Sequence, residues 1–378
     1  MFIRFAPHFH MFPFDKILTY IANEQCALVV GPEIMRFGGK PMNMYLRDTL
    51  FQQYETEVEH YYAQDGLFLF PAQEESVKSD VAQSLRRECA RLPSMPGYDE
   101  DLLKAIARLP FHLIISINPD TFLSDTFYKF GVKHRFSHYR KGNRPSDEVA
   151  PPTREEPLIY NLTGSVLEDE SLILDYEDLF SLIGSSLGAA GLPAGLRSAM
   201  EKIRTYIFMG FNFEKWHTQL MLRILCGKVG YRKYAGPHEL GADTRIFLTN
   251  QFKIEFWDPK EGDFLSVFVE SATAYLDTDL QNTSRPFLRN LLEKPLELEE
   301  TNIIREIQNA QYAKALASLA AFANGGTAKN VDDAAQLSGR YQYLVQNQPS
   351  IDSRDYLTNL NQIADAIIQL AHEIADAK

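Results

Sequence analysis

Apolar residues recur at helical spacing in FDKILTYIANEQ (residues 14–25), where Phe14, Ile17, Leu18 and Ile21 make one face. CALVVG (26–31) follows at once, and its unbroken apolar run ending at Gly31 predicts a strand buried on both faces of a parallel sheet. The alternation continues: SVKSDVAQSLRREC (76–89) and DEDLLKAIARLP (99–110) predict helices, the second opening on acids and stopping at Pro110. FHLIISIN (111–118) predicts the next strand, and NPDTFLSDTFYKFG (118–131) a short helix capped by Asp120 and closed by Gly131. PLIYNL (157–162) and TYIFMGF (205–211) predict the third and fourth strands, with a helix in EKWHTQLMLRILCG (214–227). TRIFLTN (244–250) and KIEFWD (253–258) predict the fifth and sixth, before a helix through FLSVFVESATAYL (264–276). Strand and helix in alternation mean an α/β fold: a Rossmann-like parallel sheet with helices on both faces and right-handed crossovers.

Beyond residue 280 no strand pattern appears. QNTSRPFLRNLLEKPLELEET is polar with two prolines and reads as a linker with one short helix. NIIREIQNAQYAKALASLAAFA (302–323) predicts one amphipathic helix, and GRYQYLVQN and DYLTNLNQIADAIIQLAHEIADA others, so an all-α helical bundle is expected. The predicted division is 1–280 for the α/β domain, 281–300 for the linker and 301–378 for a helical adaptor domain, expected to be a partner-binding device, with a stabilising appendage to the sheet domain as the plainer reading.

Composition narrows the function. A net charge of −12 argues against nucleic acid, whose binding is driven by counterion release from clustered cations. The run KFGVKHRFSHYRKGNR (129–144) is the local exception; a solvated loop is the simpler expectation for it. No segment reaches the ~20 apolar residues that span a bilayer, and the start lacks the form of a secretory signal, so no membrane partner and a cytoplasmic location are expected. Cys26, Cys89 and Cys226 are widely separated, which suits neither a disulfide framework nor a four-cysteine zinc site. His134 and His138 have the spacing of helical metal ligands in a segment without helical periodicity, and no metal is expected.

Ligands of such sheets bind beyond the carboxyl ends of the strands. The strand ends here are VVGPE at Gly31, SINPD at Asn118, NLTGS at Thr163 and MGFNF at Gly210, all glycine or small polar motifs that suit one crevice. Each has a plainer reading as well. Gly31, Gly164 and Gly210 can simply permit tight turns, and Asn118 with Asp120 can form an Asx turn and helix cap around Pro119. Neither a G-x-G-x-x-G nor a G-x-x-x-x-G-K-[ST] phosphate motif is present.

Together the four strand ends resemble the sirtuin-like domain family, in its bacterial conflict and antiphage-defence branch. LVVGPEI is similar to the family's first strand and glycine loop, and IISINPDTFLSDTF to its TTNxDxxxE stretch. LIYNLTGSV is similar to its strand bearing a His-Gly, and YIFMGFNFEKWHTQLMLRIL to its vGfSxxDxxxxxLLrxL segment. The resemblance covers roughly residues 13–280, and the tail resembles effector-associated adaptor domains of type 7. It implies a pocket for NAD or an ADP-ribose-like nucleotide, another defence-system protein as partner of the tail and, in active members, cleavage of the nicotinamide–ribose bond; a structural subunit of a homo-oligomer or filament is a separate expectation compatible with the same sequence.

Residue by residue the carry-over is incomplete. The resemblance gives Asn118 and Asp120 the family's catalytic Asn and Asp, and places Gly31, Pro32, Glu33, Asn118, Thr163, Gly164, Gly210, Phe211 and Asn212 around the cofactor. Pro32 and Glu33, however, replace residues that let the backbone approach a diphosphate; proline removes a donor and a carboxylate repels phosphate. Thr163 stands at the position of the catalytic histidine, and Asn212 where the family often carries a serine. A threonine hydroxyl cannot act as a general base near neutral pH, and general acid–base catalysis contributes roughly 10²–10⁴-fold. Asp120, Glu33 and His217 are the candidate substitutes. The expectation is a degenerate domain without robust NAD hydrolysis, serving binding or assembly; an NAD glycohydrolase that depletes NAD on activation is the alternative.

Overall fold

The computed structural model describes residues 12–72, 75–142, 149–187, 192–226, 231–279, 288–348 and 351–377, to which all statements below refer. They divide into two compact units, one of residues up to Phe122 with Arg135–Arg289, the other of Leu123–His134 with residues from Asn290 onward.

The first unit opens with α1 (Phe14–Ala22) and β1 (Cys26–Val30), both where the apolar pattern puts them. Two short hairpins, β2–β3 (Arg36–Phe37, Lys40–Pro41) and β4–β5 (His60–Tyr62, Leu67–Leu69), flank α2 (Met42–Tyr54). Then come α3 (Glu75–Arg91), α4 (Glu100–Arg108), β6 (Leu113–Ser116), β7 (Arg135–His138) and β8 (Leu158–Asn161); between β6 and β7 in the chain runs α5 (Phe122–Lys129), which from Leu123 on belongs to the second unit. After α6 (Tyr176–Leu187) and α7 (Ala194–Lys202) the chain crosses to β9 (Thr205–Met209), α8 (Trp216–Cys226), β10 (Lys233–Ala235), α9 (Ala242–Phe247), β11 (Ile254–Phe256) and α10 (Phe264–Asp279).

Seven parallel strands form one sheet in the order β11-β10-β9-β1-β6-β8-β7. From β1 the chain adds β6, then the edge strand β7, then β8 between those two, before it returns to add β9 on the other side. The junction of β1 and β9 is therefore the switch point of the topology, where open α/β sheets place their ligands. One face carries Val29, Ile115, Tyr160 and Phe208 against Leu179 and Leu182 of α6, Leu196 of α7 and Leu222 of α8. Elsewhere in the same unit Phe12 and Phe14 pack with Trp257, Phe264 and Phe268, ring centroids 5.1–6.5 Å apart where they touch.

Two sheet positions depart from the sequence pattern. TRIFLTN is not a strand: α9 runs into a π-helical turn, Leu248–Phe252, that ends at Lys253 with φ 58°. Its buried residues, Leu248 and Phe252, are four apart while Ile246 and Phe247 are exposed, a helical and not an alternating pattern. The strand in that region is β10, whose Lys233 is masked to periodicity by its charge; its Nζ is buried and donates to the carbonyls of Tyr231 and Phe252.

The basic run likewise contains an edge strand, β7, in place of a solvated loop. Its cations are committed. Arg135 donates to the carbonyls of Ala150 and Pro151, Arg140 to Glu168 at 2.6 Å, and Lys141 pairs with Asp178. Asp178 also receives Lys78 at 2.8 Å and the Leu174 N–H at 2.9 Å. Burial alone raises the pKa of that carboxyl, and these donors outweigh it, holding it below the ordinary carboxylate value. Residues 143–144 of the run lie outside the described residues.

In the second unit, α11 (Leu298–Gln308), α12 (Tyr312–Ala323), α13 (Ala328–Gln346) and α14 (Ser353–Asp376) enclose a core containing Ile303, Leu319, Ile367 and Ile374. The single helix expected over 302–323 is two, broken where Ala310 takes a left-handed φ of 56°. Of the linker expected over 281–300, residues 281–287 lie outside the described residues; Leu292 and Leu296 donate from their N–H groups to the carbonyls of Phe130 and Lys129.

Ile367 is fully buried in the helical core, so Ile367→Ala is expected to destabilise this unit by about 2–5 kcal/mol, read as a lower midpoint in chemical denaturation followed by circular dichroism.

Candidate functional site

The tips of β1 and β9 meet backbone to backbone. Gly31 N–H donates to the Met209 carbonyl at 2.8 Å, and Glu33 N–H to the Gly210 carbonyl at 2.9 Å. A Cβ on Gly31 would lie 2.3 Å from the Gly210 oxygen, and one on Gly210 would lie 2.2 Å from the Ile34 nitrogen. Gly210 also has a left-handed φ of 63°. Both glycines are thus required by the contact of two loops at the switch point.

That contact consumes the donors of the first loop. Gly31 and Glu33 donate across to β9's end, Pro32 has no N–H, and Ile34 N–H closes the turn onto the Gly31 carbonyl at 3.3 Å. A diphosphate is held in such folds by free backbone N–H groups at this turn, and the Gly31–Ile34 segment offers none. The Glu33 carboxylate adds a negative charge, fixed by the Asn212 side-chain amide at 2.6 Å. Asn212 turns its carbonyl oxygen to the N–H groups of Glu214 and Lys215, at 3.1 and 3.2 Å, and so caps the entry to α8. Phe211 is a core residue between Phe208 and Phe213, its ring fully buried. The residues of a cofactor site named from the sequence are brought together here, but as a self-bonded corner. The residues present at the first loop do not fit a dinucleotide's diphosphate.

The other half of the site lies at the tips of β6 and β8. Asn118 follows β6, its N–H donating to the Ser116 hydroxyl at 3.0 Å, and its side chain is buried with the Oδ1 oxygen accepting no hydrogen bond. Asp120 Oδ1 accepts from the Phe122 N–H at 3.0 Å, capping α5, while Asn161 holds the Asp120 carbonyl at 2.7 Å. Thr163 spends its hydroxyl by donating to the Ile117 carbonyl at 3.0 Å. Gly164 has φ 84°, and a Cβ there would lie 2.0 Å from the Ser171 oxygen, so the turn after Thr163 admits only glycine. Thr163 therefore braces the loop that carries Asn118.

A cavity of about 30 Å³ lies under that loop. Asn118, Pro119 and Asp120 line one side; Met42, Asn43, Leu46 and Arg47 of α2 and Leu85 and Cys89 of α3 line the other. Arg47 Nη2 donates to the Ile173 carbonyl at 2.7 Å, while Arg47 Nη1 and Asn43 Oδ1 are buried without a hydrogen-bond partner. Burial lowers the Arg47 pKa from its usual value and raises that of the Cys89 thiol, which stays protonated. Sequence reading passed over Asn43 and Arg47. Their only signal is the i, i+4 spacing in MNMYLRDTL beside the apolar Met42, Leu46 and Leu50.

Of the proposed substitute bases, His217 is the second residue of α8, 3.9 Å from Asp65, with Nε2 buried and unbonded. Burial pushes its pKa down to about 4, helped by Lys215, which makes it a weak proton acceptor at pH 7. His134 donates from Nδ1 to the Val132 carbonyl and accepts the Ser124 hydroxyl at Nε2, and His138 donates to Glu168 at 2.9 Å. Among the described residues no three His, Cys, Asp or Glu side chains are grouped to hold a metal ion, and no helix is long and apolar enough to cross a membrane.

Residues 112–238 match the family model of the SIR2-like domain. The match spans β6 to the segment after β10, and so contains Asn118, Asp120, Thr163, Gly164 and Gly210–Asn212 but not the first loop or α2. Over that stretch the chain is similar to a SIR2-like domain, a module type that binds NAD-type ligands. No curated protein matches the chain.

Two predictions follow from this geometry. Gly210→Ala is expected to destabilise by about 1–3 kcal/mol or more through its left-handed backbone and the clash with Ile34, whereas Gly184→Ala, in the exposed interior of α6 with open space around it, gains about 0.5–1 kcal/mol; paired thermal melts compare them. His112 and His217 are both held near pKa 4 by burial. The unfolded chain binds protons at these sites below about pH 6.5 while the folded chain does not. Stability is therefore expected to fall as pH drops from about 6.5 towards 4, and His217→Gln to flatten part of that slope in urea titrations across pH.

Proposed function

We propose that this chain is a sirtuin-like nucleotide-binding or assembly module without robust NAD hydrolysis, working in a bacterial antiphage or conflict system whose partner protein is recruited by the helical unit. The observation that carries this reading is the donor accounting at the switch point. Gly31, Glu33 and Ile34 spend their N–H groups within the protein and Pro32 has none, so the Gly31–Ile34 turn keeps no backbone donor for a diphosphate. Thr163 supports the same conclusion from the other side, because its hydroxyl is used in bracing Ile117 and has no basicity near neutral pH.

What the protein's own groups can still do is hold and orient. Asn118 presents a buried amide and Asp120 a carboxylate whose Oδ1 organises the start of α5; the Asn118 N–H donates to the Ser116 hydroxyl and the Asp120 carbonyl accepts from the Asn161 amide. NAD, when bound in a SIR2-like domain, supplies the scissile nicotinamide–ribose bond. Here the Asn118 loop matches such a ligand and the Gly31 loop does not.

A second reading is favoured by one specific observation, the buried unbonded Asn118 Oδ1 facing a cavity with Asp120 on its wall. An amide oxygen kept unpaired away from water costs on the order of 1–3 kcal/mol, which is the expected signature of a retained ligand contact. In that reading the chain is an NAD glycohydrolase that depletes the cofactor once a partner or assembly reopens the first loop.

Incubating the purified protein with NAD and measuring free nicotinamide separates the two. Release at or near the uncatalysed rate, unchanged by Asn118→Ala, is the expected result. Rapid turnover that Asn118→Ala abolishes would establish the second reading and end the first.

A further inference from the structure

We propose that the helical unit binds a second copy of this chain end to end: the tip of the α13–α14 pair, carrying Tyr343 and Leu357, seats in the groove between α11 and α12 at the opposite end of the unit. This goes beyond the preceding reading and uses neither the Gly31 turn nor the Asn118 loop.

Tip and groove lie at opposite ends because the helices differ in length. α11 and α12 have 11 and 12 residues, about 16–18 Å, whereas α13 and α14 have 19 and 24, about 28–36 Å. The ring of Tyr312, the first residue of α12, stacks on Tyr341 with centroids 6.1 Å apart, so the end of α13 and the start of α14 run on past α12. The far end of α14 returns to the first turn of α11, where His372 meets Glu300. At the projecting tip Tyr343, Val345 and Leu357 are 68, 41 and 58 % exposed. Arg340 and Arg354 sit one turn before Tyr343 and Leu357 on the same helix faces, and neither guanidinium is in an ion pair among the described residues. Of the acids in that turn, Asp352 is spent capping α14, its carboxylate accepting the Arg354 N–H at 2.8 Å, and Asp355 is exposed. Large apolar side chains gathered on one projection and rimmed by charge mark a contact surface.

The groove has the complementary character. It is a cavity of about 410 Å³, large enough to take bulky groups, lined by Glu299 and Asn302 of α11 and by Ser318, Ala321, Phe322 and Gly325 towards the end of α12. The exposed Glu299 carboxylate makes no ion pair among the described residues and so offers a partner to an incoming arginine. Ser318, Ala321 and Gly325 follow one another at helical spacing and are small, which lets a second helix approach closely, while Phe322 gives the groove an apolar wall. The same chain carries a helical tip of matching polarity, which selects a second copy as the occupant. Because the two surfaces are unlike, the contact repeats from copy to copy and builds a closed ring or an open chain.

Sedimentation velocity of the full chain across a concentration series tests this on the unaltered protein, on Ala321→Trp, which fills the groove, and on Leu357→Asp, which spoils the tip. Both positions are exposed, so the circular dichroism of each variant is expected to match that of the unaltered chain. The unaltered chain is expected to gain mass steadily with concentration, and each variant to associate at least about tenfold more weakly, the scale of losing one interface anchor. Mixed in equal amounts, the two variants are expected to recover an association that stops at a pair, because only the tip of the Ala321→Trp copy and the groove of the Leu357→Asp copy remain usable. Should Ala321→Trp not fold, Glu299→Lys on the same groove takes its place in the mixture. A mixture that forms no pair shows like surfaces meeting across a two-fold axis, and overturns the proposal. Association that survives either variant also overturns it, as does an unaltered chain that stays a monomer throughout, which leaves the groove to a different helix or a small ligand. No NAD enters these runs, so nicotinamide release, the result that bears on the preceding reading, is scored separately.

Discussion

The arrangement of this site depends on one contact, the passage of the β1 loop over the β9 tip with no side chain between them. Gly31 and Gly210 approach so closely that any Cβ at either position would lie within 2.3 Å of the other loop's backbone. Parallel strands β1 and β9 are neighbours in register, so their carboxyl ends are level, and the first residues beyond them must either open to form a crevice or close on each other. Here they close. Exchanging the turn's N–H groups for bonds to Met209 and Gly210 makes the corner self-sufficient and removes the feature by which Rossmann-like folds bind diphosphates. Glu33 and Asn212 complete the closure, since their mutual bond ties the turn to the start of α8.

Much of the sheet could be read from the chain. β1, β6, β8 and β9 are short apolar runs bounded by glycine or polar residues, and a strand buried on both faces has no other way to appear. β10 and β7 were hidden by charge. Lys233 is buried yet hydrogen-bonded to two carbonyls, and Arg135 covers backbone oxygens beside an edge strand, so the polarity of their side chains says little about the path of their backbones. The reverse error occurred at Thr244–Asn250, where a β-rich composition masks a helix whose exposed Ile246 and Phe247 make it look buried. Ala310 shows a third kind of blindness, because a left-handed break in the tail falls on a residue with no turn chemistry of its own.

The candidate site was legible in half. Asn118, Asp120, Thr163 and the four strand ends are sequence motifs, and the fold brings them to one edge of the sheet as parallel topology requires. Which of their atoms are spent was not legible, because the hydroxyl of Thr163 and the amide of Asn212 are committed to partners 46 and 179 residues away. Asn43 and Arg47 were invisible for a related reason: polar residues on an amphipathic helix read as its solvent side, and only tertiary packing turns them towards a void.

The brace from Thr163 has a consequence for any substitution at that position. An imidazole placed at 163 would give up the hydroxyl's bond to the Ile117 carbonyl and leave the Gly31–Gly210 corner closed. The two features sit on separate loops with no hydrogen bond shared between them, so a substitution at one leaves the other as it stands.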